Sequence, residues 1–443
     1  MFKTLKTAWG IPEIRKKILF TLFIIMIFRL GSVLTVPFLD TSIVSAWMEE
    51  KASNGNFLEY LNILSGGALA KATMFSLGVT PYINASIIIQ LLTYALPPLE
   101  RLQQEGEDGR KKLNRITSIV AFGLSTFMAV AYYLTLKNMK SDGVSAVKYT
   151  EGGTGIFAMF VIILSFMAGA SLVIWMGNRI NEKGIGNGVS MILFAGIVAR
   201  IPVDIGTLGG LVLENPNEYF IKVVIYLLIF VAMVVGIVFM NESERRIPVQ
   251  YAKRVVGRKQ YGGQSTHIPI KICMSGVMPI IFAMSFMSLP SMCTIFKEPD
   301  RAATEGWEKF YAGFVDFFST RSYSYAILYF ILIILFNYFY VAIQYNPVEM
   351  ANNLRQSNGG IPGIRPGKPT SDYIQRVLSK ISLVGAVFLG VVAVFPIIFL
   401  NITKIDVSSM GGTSILIVVS VAIETVRTLE SQLMMNHHKG FLG

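Results

Sequence analysis

The three histidines of this 443-residue chain, His267, His437 and His438, lie in a basic loop and in the C-terminal tail. Its two cysteines, Cys273 and Cys293, fall twenty residues apart on one apolar run. On a single helix that spacing is about 30 Å, too far for a disulfide. Both thiols read as small apolar packing residues. No histidine falls inside an apolar run, and no Ser–His or paired-Asp constellation occurs within one. We therefore expect no catalytic residue, no metal site and no cofactor. The sequence shows no nucleotide-binding loop, so any work the chain does must draw on a partner or on a membrane potential.

Other polar residues stand out by their surroundings. Gln90 sits in an apolar stretch with no charge nearby; a buried amide costs a few kcal/mol unless it finds a partner. Arg29 is an ionisable residue inside an apolar run, where snorkelling to an interface is the expected behaviour; the sequence names no partner for it. Glu424, near the end of another run, is expected to be structural. Arg365 lies between Pro362-Gly363 and Pro366-Gly367. That spacing predicts a tight, exposed turn presenting a guanidinium, a group suited to bidentate docking on acidic protein or RNA phosphate.

The elements that position these residues are membrane spans. The chain is 53% hydrophobic and 15% charged, against roughly 25% charged in soluble domains. Ten apolar runs reach the ~20 residues that a bilayer requires: 18–38, 75–96, 116–136, 155–176, 188–206, 219–240, 272–293, 324–344, 377–399 and 413–429. The run at 18–38 is too long for a signal peptide and no small-residue cleavage site follows it, so it reads as the first span. The net charge of +12 follows the membrane. The N-terminus, the tail and the loops 97–115, 177–187, 241–271 and 345–380 hold 26 of the 39 Lys and Arg. The positive-inside rule then places both termini in the cytosol.

Five spans precede Asn215-Pro216 and five follow. An odd number per half gives halves 1–216 and 217–443 of opposite topology, as in inverted-repeat conduits. Segment 57–96 is too long for one span, and Gly66, Gly67, Gly78 and Pro81 interrupt it. It reads as a half-helix, 57–72, dipping in from outside, then a span, 75–96; irregular backbone at that depth must be buried in protein or line a cavity. The residues alone equally allow an amphipathic surface helix before the span. Loops 241–271 and 345–376 are rich in Gly, Pro and Arg, which suits structured hairpins. Loop 294–322, with Trp307 and Tyr311, fits an interfacial helix.

Several motifs then resemble one family, in order along nearly the whole chain. Ser65-Gly66-Gly67-Ala68-Leu69 and Pro81-Tyr82-Ile83-Asn84-Ala85-Ser86 resemble the plug and second span of the SecY family. Gln104-Glu105-Gly106-Glu107-Asp108-Gly109-Arg110 resembles its first cytosolic loop, and Gly184-Ile185-Gly186-Asn187-Gly188 the start of its fifth span. Arg245-Arg246-Ile247-Pro248, Tyr251-Ala252-Lys253-Arg254 and Gly262-Gly263-Gln264-Ser265-Thr266-His267 resemble the loop between spans six and seven. Pro362-Gly363-Ile364-Arg365-Pro366-Gly367 resembles the tip of the loop between eight and nine. Gly411-Gly412-Thr413-Ser414 resembles the opening of span ten.

The resemblance implies an all-α polytopic membrane protein, ten helices in two inverted five-helix halves around a pore, with a re-entrant plug. It implies a protein-conducting channel in the bacterial plasma membrane. Unfolded secretory precursors would pass through it, and signal sequences and membrane segments would leave sideways into the lipid bilayer. An apolar pore ring would fall on Val79, Ile83, Val189, Leu193, Ile281 and Ile417, dewetting when closed. The plug would include Leu61, Leu64, Gly66, Gly67 and Ala68. A lateral gate would involve Asn84, Ile88 and Gln90, with Cys273 standing where the family commonly has an Asn; a thiol is a weak hydrogen-bond partner. Arg245, Arg246, Arg254, Arg258, Lys259 and Arg365 would dock cytosolic partners. The implied partners are SecE, SecG, SecA and the ribosome, with ribosomal RNA contacts through the basic loops.

A secondary transporter of a small solute is the rival reading, since such proteins also use inverted repeats and broken helices. Ion-coupled transporters carry ionisable groups near the midplane; this chain has almost none there, and its loops are large and basic.

Overall fold

Proline opens many of the helices, because its missing N–H is not needed in a first turn. Pro12, Pro81, Pro97, Pro202, Pro216 and Pro347 all occupy the first or second helical position. The computed structural model describes residues 2–52, 62, 65–141, 144–149, 152–251, 254–256, 259–261, 265–296, 306–318, 322–403 and 412–439. The first helices are α1 (Phe2–Gly10), α2 (Pro12–Gly31), α3 (Thr41–Ala52), α4 (Thr80–Ala95) and α5 (Pro97–Gln104). Then come α6 (Glu107–Asn138), α7 (Gly152–Lys183), α8 (Gly188–Val198), α9 (Ile201–Glu214) and α10 (Pro216–Glu242). The remainder are α11 (Met278–Phe296), α12 (Trp307–Phe317), α13 (Tyr323–Gln344), α14 (Pro347–Gln356), α15 (Lys368–Thr403) and α16 (Gly412–Lys439).

Among the described residues seven helical segments are long and apolar enough to cross a membrane, and the pair α4–α5, bent by 105°, makes an eighth. The other two expected spans coincide with α2, whose apolar stretch carries Arg29, and α11, whose apolar part is short. On α10, Leu228 and Phe239 are 66% and 69% exposed. A continuous apolar surface of that kind is stable against lipid hydrocarbon, so the chain is a multi-pass membrane protein.

Three packed clusters build the bundle. One joins α3, α6 and α7 around Leu69, Ala72 and Leu77. A second joins α10, α11, α13, α15 and α16 around Tyr329, Ile333 and Leu389. A third runs from α2, α7 and α8 to α16, with Phe28, Val173 and Leu193 against Ile417 and Val421.

Two expectations shift. Of the half-helix expected over 57–72, residues 57–61 and 63–64 fall outside the described residues, and 65–79 forms successive turns. The span expected from 75 starts at Thr80. The reason is backbone conformation: Gly66, Gly67, Ala72 and Gly78 all have positive φ, which a right-handed helix cannot hold. The loop at 294–322 does contain the short helix α12.

The basic loops form one folded unit. β3 (Glu244–Tyr251) pairs antiparallel with β6 (Ser265–Lys271), and β4 (Arg254–Val256) with β5 (Lys259–Tyr261) near the tip. Here β1 and β2 are the two-residue strands Lys140–Ser141 and Val144–Ser145. The other loop adds β7 (Gly359–Gly360) to the free edge of β3, with Gln250 opposite Gly360 and Tyr251 opposite Gly359. A separate small core of Ile247, Val249, Ile270, Leu354, Ile361 and Ile374 lies beneath the sheet.

Candidate functional site: a vestibule closed by an apolar floor

The Gly-Ile-Gly-Asn-Gly turn sets the wall of the site. Asn187 caps α8 by accepting from the N–H groups of Val189 at 3.1 Å and Ser190 at 3.4 Å. Asn181 accepts from the Gly188 N–H at 2.7 Å. A Cβ on Gly188 would lie 2.0 Å from the Gly177 carbonyl oxygen, so only glycine lets α8 start this close to α7.

On the far side, residues 272–277 are not helical, and α11 begins at Met278. This break is held by a buried amide. Ser275 Oγ donates to Asn337 Oδ1. Asn337 Nδ2 donates to the Ser382 carbonyl at 3.0 Å and to Ser382 Oγ at 2.8 Å. Asn337 is 2% exposed, and its bonds join the break to α13 and α15. The clue in the sequence was the same as for Gln90, a lone amide in an apolar run.

Between these walls lies a cavity of about 630 Å³. Its mouth is lined by Lys271, Tyr345, Glu424 and Arg427, on the side of the β-sheet. Its floor is Leu193, Val277, Ile281, Ile417 and Val421. Burial, then the nearby Arg427 guanidinium, push the Lys271 ammonium below its ordinary pKa, against the opposing pull of Glu424 and Glu244. Arg427 Nη2 donates to the Asn241 carbonyl at 3.0 Å, and Asn241 Nδ2 to Ser420 Oγ at 3.1 Å. These bonds tie the end of α10 to α16. A charged mouth above an apolar floor is the kind of geometry that hydrophobic constrictions in channels use.

The expected ring is largely brought together. Val79, Ile83, Val189, Leu193 and Ile417 share one cluster, and Leu193, Ile281 and Ile417 line the floor. Val79, Ile83 and Val189 are in the cluster but not in the cavity wall, and Val189 also leans towards Gly177 of α7. Gly66, Gly67 and Ala68 lie in the described turn, with Ala68 1% exposed; Leu61 and Leu64 fall outside the described residues.

The implied gate contact is corrected. Gln90 is exposed on α4, as is Ile88, whereas Cys273 is buried in the cluster around α11, α13 and α15. Gln90 and Cys273 are not joined by a hydrogen bond. The bridge between α4 and α11 is instead Ser285 Oγ donating to Asn84 Oδ1 at 3.3 Å. Three residues of α4 separate Asn84 from Ile88, so both lie on nearly one face, but the polar bond forms at the deeper position.

Of the docking residues, Arg245 is exposed on β3, while Arg246 pairs with Glu244 at 2.7 Å. Arg254 and Lys259 lie on β4 and β5, and Arg258 falls outside the described residues. Arg365 is exposed, and its backbone is held as expected. Gly363 and Gly367 have φ of 81° and 102°, and Thr370 Oγ1 donates to the Arg365 carbonyl at 2.8 Å.

Comparisons with known proteins agree with this arrangement. The SecY family model matches residues 73–426. The protein translocase subunit SecY of Mycobacterium bovis is 41% identical, with 97% of each chain covered. That of Thermus thermophilus is 38% identical, covering 100% of this chain and 98% of the relative. Among solved structures, a SecY protein studied for its plug domain superposes with a TM-score of 0.65 at 18% identity, covering 96% of each chain. Sec61 in a canine ribosome–channel complex gives 0.60 at 16%, with the same coverage. The family's work is transport of polypeptide and not catalysis. With the vestibule, the apolar floor and these relatives in hand, the chain belongs to the SecY family of protein-conducting translocase subunits.

Proposed function

We propose that this channel passes unfolded secretory precursors across the bacterial plasma membrane and releases membrane segments laterally between α4 and α11. The observation that carries the reading is the cavity whose charged mouth narrows onto an apolar floor. The sheet-bearing face is cytosolic, and both termini lie on it, as the basic loops require. Residues 1–216 and 217–443 act as the two halves that part at the gate. SecE and SecG are its membrane partners, and SecA or a ribosome docks on the β3–β6 hairpin and the Arg365 turn, with ribosomal RNA as one ligand of the basic side chains. In proteoliposomes containing the channel and these partners, an unfolded precursor should enter and become protease-protected. Uptake of a radiolabelled small solute without precursor passage would establish the transporter reading instead.

The 65–79 turn acts as the plug. Deleting residues 61–68 should leave a working but leakier channel, because the plug seals the path without carrying the chain. Equal resting conductance before and after deletion, in planar bilayers, would dismiss the plug.

The Asn84–Ser285 bond latches the gate. An interhelical bond of this kind contributes about 0.6–1.7 kcal/mol in membranes, so Ser285→Ala should favour the open gate by roughly 3- to 18-fold. Precursors with weak signal sequences should be exported better and those with strong signals unchanged. Identical export of both classes in wild type and variant would remove the latch role.

A further inference from the structure

Arg29 is the one ionisable side chain of α2 beyond the charged residues Glu13, Arg15, Lys16 and Lys17 at its start, and its partner could not be read from the sequence. In the structure it reaches α8. Arg29 Nη2 donates to the Ala195 carbonyl and, at 3.0 Å, to the Gly196 carbonyl. Both carbonyls lie in the last turn of α8, where C=O groups run short of intrahelical donors: the Ala199 N–H still reaches the Ala195 carbonyl at 3.3 Å, while Arg200 N–H turns to the Ile197 carbonyl at 3.0 Å and not to Gly196. The helix is interrupted at Ala199–Arg200 before α9 begins, and Pro202 in the first turn of α9 has no N–H to offer back to α8. A guanidinium is suited to such an end by its charge and by its several fixed donors.

The same guanidinium borders the plug turn. A Cβ on Gly66 would fall 2.8 Å from the Gly196 carbonyl oxygen and 3.1 Å from Arg29 Nη1. Gly66 also holds φ at 69°, a conformation that disfavours any side chain. The turn is internally knotted at this point: Gly67 N–H donates to the Asn62 carbonyl at 2.8 Å, and Ala70 N–H to Asn62 Oδ1 at 3.0 Å. Its other end is stitched to the chain that follows α2. Val36 N–H donates to the Ala72 carbonyl at 3.1 Å, Met74 N–H donates to the Leu34 carbonyl at 2.8 Å, and Phe28 stacks on Phe75 with centroids 5.8 Å apart. One end of the turn is therefore bonded backbone to backbone to the chain after α2, while the glycine end meets Arg29 and Gly196, and just beyond it Tyr132 Oη of α6 donates to the Leu69 carbonyl at 2.7 Å.

We propose that Arg29 is a positioning residue for the plug: its guanidinium, clamped to the broken end of α8, forms the seat on which Gly66 closes. This rests on the reading of 65–79 as the plug. A merely structural Arg29 would strap α2 to α8 whether or not the plug were present. The two roles separate in a double-mutant test on the full channel with its partners, reading resting ion conductance in planar bilayers. Arg29→Gln should raise that conductance about tenfold, the loss of a charge-assisted hydrogen bond, and should do nothing further once residues 61–68 are deleted. Gly66→Ala approaches the seat from the other side and should give a comparable leak, not additive with Arg29→Gln. Arg29→Lys, which keeps the charge and loses the fork, should fall between. In a background with Cys273→Ser and Cys293→Ser, Ala68→Cys should become more accessible to an impermeant thiol reagent when Arg29→Gln is added. An Arg29→Gln leak that persists in the plug-deleted channel would make Arg29 a strap and overturn the proposal. So would a Gly66→Ala channel with unchanged conductance and unchanged labelling. If deletion of 61–68 alone causes no leak, the plug reading itself falls, and the seat falls with it.

Discussion

Ile281→Asn is expected to raise the resting ion conductance of the channel by roughly 5- to 150-fold, since a polar group at the constriction offsets on the order of 1–3 kcal/mol of desolvation. Ile281 is 8% exposed and faces Leu193 and Ile417 across the floor of the vestibule. Water leaves a gap lined only by such side chains, and an ion cannot follow without its hydration shell. One amide restores a site where water can stay. Ile281→Leu conserves volume and apolarity and should leave conductance near its starting value. Val189 provides an internal contrast. It packs towards Gly177 of α7 and is absent from the cavity wall, so Val189→Asn should disturb packing more than leakage. Planar-bilayer recordings, with channel abundance and SecE association measured alongside, separate the two effects. Equal leakage from Val189→Asn and Ile281→Asn would mean that the floor is not the barrier to ions.

The second large effect is expected at Arg365. Arg365→Glu should slow precursor import by roughly 30-fold to several thousand-fold, because losing one partner of a desolvated charge pair costs about 2–5 kcal/mol. The turn that carries it is already rigid in the channel alone. Two positive-φ glycines flank it, and Thr370 fixes its carbonyl. Little ordering entropy is then spent when a partner docks. Arg365→Lys keeps the charge but not the bidentate geometry and should lose less. The measurement is import into vesicles at matched channel abundance. Import at the normal rate, or a loss accounted for by missing channel, would remove the docking role.

Much of this architecture is legible in the amino-acid order, and the reasons differ by element. The spans show because hydropathy over about twenty residues is a local property. The Arg365 turn shows because Pro and Gly at fixed offsets leave few backbone choices. The apolar ring was placed by family position, and five of its six residues share one cluster; which of them also line the cavity is decided by contacts between helices, as Val189 leaning towards Gly177 illustrates. The gate contact was misplaced for a similar reason. Gln90 and Cys273 were matched by family position, but 272–277 is pinned by Asn337 into its own half of the bundle, which carries Cys273 away from α4. The partner of Arg29 lies 166 residues away at a helix end, and no spacing rule reaches that far. The hairpin in 241–271 was expected, but the third strand was hidden because Gly359-Gly360 has no strand propensity; it pairs because β3 offers an edge.

That three-stranded sheet has a mechanical consequence. β7 belongs to the segment that leads into the Arg365 turn, and it is bonded to β3 through Gln250 and Tyr251. β3 is zipped along seven residue pairs to β6, from Gln250 opposite Ser265 to Glu244 opposite Lys271. β6 then runs directly into 272–277 and α11. A load applied to the turn cannot be absorbed by slack loop. It travels as shear through the ladder and arrives as torque on α11, whose approach at 272–277 is non-helical and whose Ser285 is hydrogen-bonded to Asn84 of α4. The two basic loops are in this sense a crank, and the break at 272–277 is its bearing.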